Sequence, residues 1–154
     1  SKIGLTKQPS INTNTLVESV LQKIESPTHI TISIVTELPH IFADEHLLAK
    51  VFEVLIQHAV DHIHNKIGLI EIGCESTEKE PVFSIKYNYL RIHPTHHKNI
   101  FEEFQIIESS ESIGVGLNIV KKITAHYNGK ISIKSIPNKE TIFYFSLPKT
   151  TDDV

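Results

Sequence analysis

The sequence has no methionine, no tryptophan and a single cysteine, Cys74, in 154 residues. One thiol excludes an internal disulfide, and its place in an alternating apolar run makes it a small buried hydrophobe in a reducing compartment. The lack of methionine even at the first position leads to the expectation of a piece cut from a longer protein. No apolar run approaches the roughly 20 residues a membrane span needs. The opening residues SKIGLTKQPS lack the apolar core of a signal peptide. No excess of positive charge exists either: the net charge of −3 creates no basic field to draw in nucleic acid or acidic membranes. These absences predict a cytoplasmic domain, or the cytosolic part of a larger membrane-anchored protein, that touches neither nucleic acid nor membrane. There are no internal repeats and no low-complexity segment.

What remains is ordinary globular composition, 40% hydrophobic and 21% charged, with the length of one domain that can bury a real core. Residues 1–12 read as a polar lead-in, 13–149 as the domain, and 150–154 as a disordered tail. Leu16, Val17, Val20, Leu21 and Ile24 recur at helical spacing, which predicts a helix over Thr15–Ile24 capped by Asn14. Ile30, Ile32 and Ile34 alternate with small polar residues as in a strand. Asp44 opens a long helix to about Ile63, with Leu48, Phe52, Leu55, Ala59 and Ile63 on one face. Strands follow at Ile70–Cys74 and Val82–Tyr89, the latter with Phe83, Ile85, Tyr87 and Tyr89 on one face. Residues 90–113 read as irregular, with a short helical piece around Ile100–Phe104. Strands at Ile131–Ile133 and Thr141–Leu147 close the chain. The simplest packing is an α/β two-layer sandwich, a mixed sheet of about five strands with three helices on one face.

Between the irregular segment and the last hairpin lies GVGLNIVKKITAHYNG, Gly114–Gly129. It reads as a Gly-x-Gly-Leu turn followed by a helix with Leu117, Val120 and Ile123/Thr124 inward, stopped at Asn128-Gly129. Glycines at a helix start let a ligand approach the backbone, and the free N–H groups there favour an anion such as phosphate. Alone, the motif equally fits a tight turn before a surface helix.

Four blocks together resemble the ATP-binding domain of sensor histidine kinases, the Bergerat fold shared with gyrase-type ATPases. LPHIFADEHLLAKVFEVLIQHAVDHIHN is similar to the helix of the family's asparagine box. FSIKYNYLRIHP is similar to its first glycine box, NIFEEFQ to its phenylalanine box, and GVGLNIVKKITAHYNGKISIKS with TIFYFSLPK to its second glycine box and last hairpin. The resemblance implies ATP and Mg²⁺ as ligands, and a kinase's dimerisation hairpin and a receiver domain as protein partners.

Carried over residue by residue, the resemblance also implies a damaged site. The magnesium-binding asparagine falls on His58, a poor ligand for a hard cation that wants oxygen donors in octahedral geometry. The neighbouring asparagine falls on Val54 and a phosphate-facing lysine on Asp61. The adenine-binding aspartate falls on Tyr87, and the two glycines after it on Tyr89 and Arg91, neither of which takes positive φ cheaply. The lid, Gln105–Ile113, carries Glu108 and Glu111 and no basic residue. Gly114, Gly116, Leu117 and Lys121 match the family, as do Phe101 and Phe104. No histidine here is followed by an acidic residue, as a phosphoacceptor would be, and no dimerisation hairpin precedes residue 14. The expectation is a degenerate kinase-type domain that keeps the fold, carries no catalytic residue, has lost productive ATP binding and acts by docking on proteins. The competing reading is a working kinase domain in which His58 and Tyr87 replace the usual ligands.

Ten histidines are many for this length. His58 and His62 stand one helical turn apart, and HAVDH has the outline of an inverted zinc-protease helix. Such a pair can bind Zn²⁺ or Ni²⁺, with His93, His96 or His97 as a third ligand. The plainer reading is polar residues lining a vestigial cleft. The lack of a recognisable downstream ligand favours it, as does the direction of Asp61, about 60° round the helix from His58.

Overall fold

The computed structural model describes residues 9–76, 80–89, 111–136 and 140–147. In chain order the elements are β1 (Ser10–Asn12), α1 (Thr13–Lys23), β2 (Ile30–Ile34), β3 (His40–Phe42), α2 (Glu45–Ile63), β4 (Gly68–Ser76), β5 (Pro81–Tyr89), α3 (Glu111–His126), β6 (Lys130–Ile136) and β7 (Glu140–Ser146).

Five strands form one sheet in the order β2-β4-β5-β7-β6. β2 runs parallel to β4, and every other pairing is antiparallel. The parallel pair needs a crossover, and α2 supplies it. Period-two alternation sends Ile70, Ile72, Phe83, Ile85, Tyr87, Phe143 and Phe145 to the helical face, where each is at most 1% exposed. From α2 come Leu48, Phe52, Leu55, Ile56, Ala59 and Ile63, all buried. The Phe52 ring meets Phe83 edge-on at 5.5 Å and Phe145 at 5.3 Å, while Phe83 and Phe145 stack at 5.0 Å. Each such aromatic pair adds about 0.5–1.5 kcal/mol beyond the area it buries. The expected mixed sheet of five strands with three helices is therefore what forms.

Several boundaries differ from the sequence expectation, each for a local reason. The first helix starts at Thr13, because the Asn12 side chain, rather than that of Asn14, accepts from Thr15 N at 3.1 Å. Asn14 is held instead toward Glu18, one turn along. The buried Thr13 hydroxyl donates to Pro39 O, which ties the helix start to the chain before β3. Ser10–Asn12, expected as part of a polar lead-in, pairs antiparallel with His40–Phe42 in a separate two-stranded ribbon. Three-residue strands carry too little alternation to be read in advance.

The larger correction concerns the glycines. The helix of the second glycine box begins at Glu111, so Gly114 and Gly116 lie inside it and form no turn. No described glycine has positive φ. Gly116 earns its place by packing, since a Cβ there would stand 3.2 Å from Val54 Cγ1 on α2. The far end of the helix behaves as expected. Asn128 takes φ 62°, Asn128 N donates to Ala125 O, and Gly129 N donates to Thr124 O at 2.8 Å, the Schellman pattern. Gly129 is required for a different reason: a Cβ there would lie 1.8 Å from the Ser146 carbonyl oxygen. Tyr127 anchors this end by its hydroxyl, which accepts from Asp44 N at the cap of α2 (2.9 Å).

Among the described residues, no helix is long and apolar enough to cross a membrane. Arg91, the histidines of HPTHH, Phe101, Phe104, residues 105–110 of the expected lid and the tail 150–154 lie outside the described residues.

Candidate functional site

α2 and α3 pack side by side over the sheet and leave a cleft of about 440 Å³ between them. Among the described residues it is lined by Lys50, Glu53, Val54, Gln57, His58, Asp61 and His62 from α2, and by Gly116 and Leu117 from α3. Spacings of three and four residues put the α2 set on one stripe. Lys50 and Glu53 form an exposed ion pair at 3.7 Å along the rim, and Gln57 Nε2 donates to Asp61 Oδ1 at 2.9 Å.

The inner end of the cleft is an aromatic and imidazole cluster. The rings of His58 and His62 stand 5.2 Å apart. His58 meets the Phe143 ring edge-on at 5.3 Å, and Tyr87 lies over Phe143 at 6.4 Å. His62 Nδ1 and the Tyr87 hydroxyl share a hydrogen bond of 2.5 Å. Tyr87 is only 1% exposed. Its phenol is polar, so a buried position demands a partner, and His62 reaches down from the helix above to provide it. Burial pushes the His58 imidazole down to about 4; the neighbouring His62 adds to the shift, and Asp61 opposes it. Partial removal from water favours the neutral imidazole.

The structure thus brings His58, Asp61, His62, Gly116 and Leu117 to one cleft, with Tyr87 buried beneath it and bonded to His62. Lys121 is exposed on α3, outside the described lining. Gly114 lies in the first turns of α3. The Tyr89 backbone pairs with Gly68 at the end of β5. Phe143, which closes the cluster from below, and Gln57, which holds Asp61, were not foreseen. The i, i+4 spacing of Gln57 and Asp61 is a readable signal. Phe143 belongs to a strand remote in sequence, and only the β5–β7 register brings it under His58.

Among the described residues no group of three or more His, Cys, Asp or Glu side chains is arranged to hold a metal ion. A second hollow, of about 300 Å³, lies beside Cys74 and across the other face of the sheet. Burial raises the Cys74 thiol to about 11, so it is no ready nucleophile.

Residues 43–151 match the family described as histidine kinase-, DNA gyrase B-, and HSP90-like ATPase. The chain is similar to the phytochrome-like protein Cph1 of Synechocystis, 32% identical over 117 residues that make up 74% of this chain and 16% of that protein. It is also similar to the adaptive-response sensory kinase SasA of Synechocystis, 33% identical over 77% of this chain and 32% of that protein. The chain therefore spans a third or less of these relatives. Among solved structures, the catalytic domain of histidine kinase ThkA superimposes with a TM-score of 0.69 at 24% identity, covering 94% of this chain and 97% of that one. The mycobacterial sensor histidine kinase MprB gives 0.70 at 16% identity, covering 93% and 98%. Both agree in fold.

Proposed function

The chain belongs to the histidine kinase-, DNA gyrase B- and HSP90-like ATPases, and from that premise we propose that its nucleotide site has degenerated and no longer holds Mg-ATP productively. The domain, over residues 13–149, then serves signal transduction through protein contacts with a kinase's dimerisation hairpin or a receiver domain, on the cytoplasmic side.

The observation that carries this reading is the bond between His62 and Tyr87. By the resemblance of its strand to the first glycine box, Tyr87 takes the position of the adenine-binding aspartate, and its ring and hydroxyl are committed to the protein's own core. The magnesium position fits no better. His58 offers a nitrogen inside a ring cluster, Val54 offers nothing polar, and the carboxylate of Asp61 faces the space where phosphates would lie. A hard divalent cation carrying a polyphosphate has no suitable donor set here. Loss of the magnesium, adenine and lysine contacts costs about 4 kcal/mol or more, at roughly 1.5–3 kcal/mol per charge-assisted bond. That is about a thousandfold in Kd, enough to take a micromolar site to millimolar.

Calorimetric titration with Mg-ATP is expected to give no saturable binding in the micromolar range. Micromolar affinity would overturn the reading in favour of a working site with His58 and Tyr87 as unorthodox contacts. One feature favours that second reading: the cleft has a volume within the range of small-molecule sites, about 300–1,000 Å³. Reversion of the three positions together, His58→Asn, Asp61→Lys and Tyr87→Asp, is expected to bring nucleotide binding back.

A further inference from the structure

β2 is one edge of the main sheet, and among the described residues no strand pairs with its outer side. In a parallel pair both backbone groups of a residue point to the same neighbour, and successive residues alternate. His29 O accepts from Gly68 N at 3.1 Å, and Val35 N donates to Ile72 O at 2.8 Å. The odd-numbered residues therefore bond β4, and Ile30, Ile32 and Ile34 turn their backbone outward. The Ile30 N–H is held by Pro27 O at 3.1 Å. The edge thus offers the Ile30 carbonyl and both backbone groups of Ile32 and of Ile34.

This edge lacks the usual protection. No charged residue and no proline occurs from Ile30 to Thr36, ITISIVT. The opposite edge, β6, carries exposed Lys130 and Lys134, the common guard against edge pairing. Ile32 and Ile34 are only partly covered, and Val35 beside them is 52% exposed.

The strand is also self-complementary. ITISI reads nearly the same in both directions about Ile32. We propose that β2 pairs antiparallel with β2 of a second copy of this chain, on a two-fold axis at Ile32. In that register Ile32 faces its own counterpart and exchanges both N–H···O bonds with it. Each Ile34 N–H donates to the Ile30 carbonyl of the other copy, and no existing bond is broken. The isoleucines of the two copies meet on the helical face, and Thr31 stands opposite Ser33 on the other, a favourable cross-strand pair. The palindrome selects a second copy over an unrelated extended peptide, because a two-fold contact requires each strand to satisfy its own reverse. A contact of one short strand belongs to the small, transient class of interfaces, so the association is weak and concentration-dependent.

Analytical ultracentrifugation of the whole chain, from micromolar to millimolar, tests this. The mass is expected to move reversibly from 17.4 kDa toward twice that value. Thr31→Lys with Ser33→Lys sets lysine against lysine in the proposed register and abolishes the shift. Thr31→Glu with Ser33→Lys sets glutamate against lysine and restores it. Both variants change only the face away from the helices, and circular dichroism confirms that they fold. Amide exchange supplies the second measurement: protection at Ile32 and Ile34 rises with concentration. A wild type that stays monomeric overturns the proposal. So does a lysine pair that dimerises as well as wild type, or protection at Ile32 and Ile34 that ignores concentration, which would mean the chain covers its own edge.

Discussion

Replacing His58 by glutamine is expected to remove an acid-sensitive part of the stability. In the folded chain His58 titrates at about 4 instead of the ordinary 6.5, chiefly because burial disfavours its charge and secondly because His62 stands beside it. Between those values the unfolded chain binds the proton more readily than the native one. The stability that His58 lends by staying neutral is therefore complete above 6.5 and is lost as pH falls toward 4. At about pH 5 nearly all unfolded chains carry the proton and about a tenth of native ones do, a difference of about 2 kcal/mol; well below 4 it levels off at about 3 kcal/mol. Urea unfolding of the wild type and of His58→Gln, at about pH 7.5 and about pH 5, isolates the contribution of His58 together with its coupling to His62 and Asp61, since titrating groups remote from it act equally in both proteins. The wild type is expected to lose about 2 kcal/mol more than the variant on acidification. Losses equal to within about 0.5 kcal/mol would refute the burial of a neutral imidazole at this position.

Three further substitutions test other parts of the structure. Gly129→Ala drives a methyl group against the Ser146 carbonyl and is expected to cost about 3 kcal/mol or more, read as a fall in Tm of about 10 °C; an unchanged Tm would show that the two backbones do not meet there. Gly116→Ala is expected to destabilise by about 1 kcal/mol, because crowding the Val54 side chain, which has one preferred rotamer in a helix, costs about 1–3 kcal/mol and outweighs a gain in helix propensity near 1 kcal/mol; a raised urea midpoint would show that the two helices do not need the glycine. Tyr87→Phe deletes the hydroxyl bonded to His62 and is expected to cost about 1–3 kcal/mol in urea unfolding; an unchanged midpoint would show that the bond adds nothing to the fold.

Much of the fold was legible because its signals are local and repeated. The stripe from Leu48 to Ile63 and the alternation through Ile70–Ile72 and Phe83–Tyr87 each rest on several residues that are buried as period predicts, whereas Cys74, expected to be buried, is only half-buried. The ribbon of β1 and β3 was not legible, since each strand has three residues and their pairing joins segments about 30 residues apart. The start of α3 was misplaced for a specific reason. Gly114 and Gly116 look like a turn by propensity, but α3 tolerates them and uses Gly116 to approach α2 closely. In the cleft, the α2 residues were readable together because i, i+3 and i, i+4 spacing already places them on one face. The contacts of Tyr87 and Phe143 with that face depend on strand register and tertiary packing, which no single stretch of sequence encodes.

That distribution bears on how the site could be changed. Tyr87, His62, His58 and Phe143 form one connected cluster, so changes at His58 and at Tyr87 are not independent of each other. Asparagine at position 58 leaves the Tyr87 ring buried beneath the cleft, still bonded to His62. Aspartate at position 87 removes a large buried side chain and leaves a carboxylate under a helix, next to the His62 imidazole. A charged group introduced into such a place raises its own pKa or draws a proton onto a neighbouring histidine. Residues that share partners in this way show coupling energies of about 0.5–3 kcal/mol, so each single change is expected to destabilise and the double change to depart from the sum of the two. A double-mutant cycle on His58→Asn and Tyr87→Asp, read by urea unfolding, measures that coupling, and additive effects would separate the two positions into unrelated substitutions.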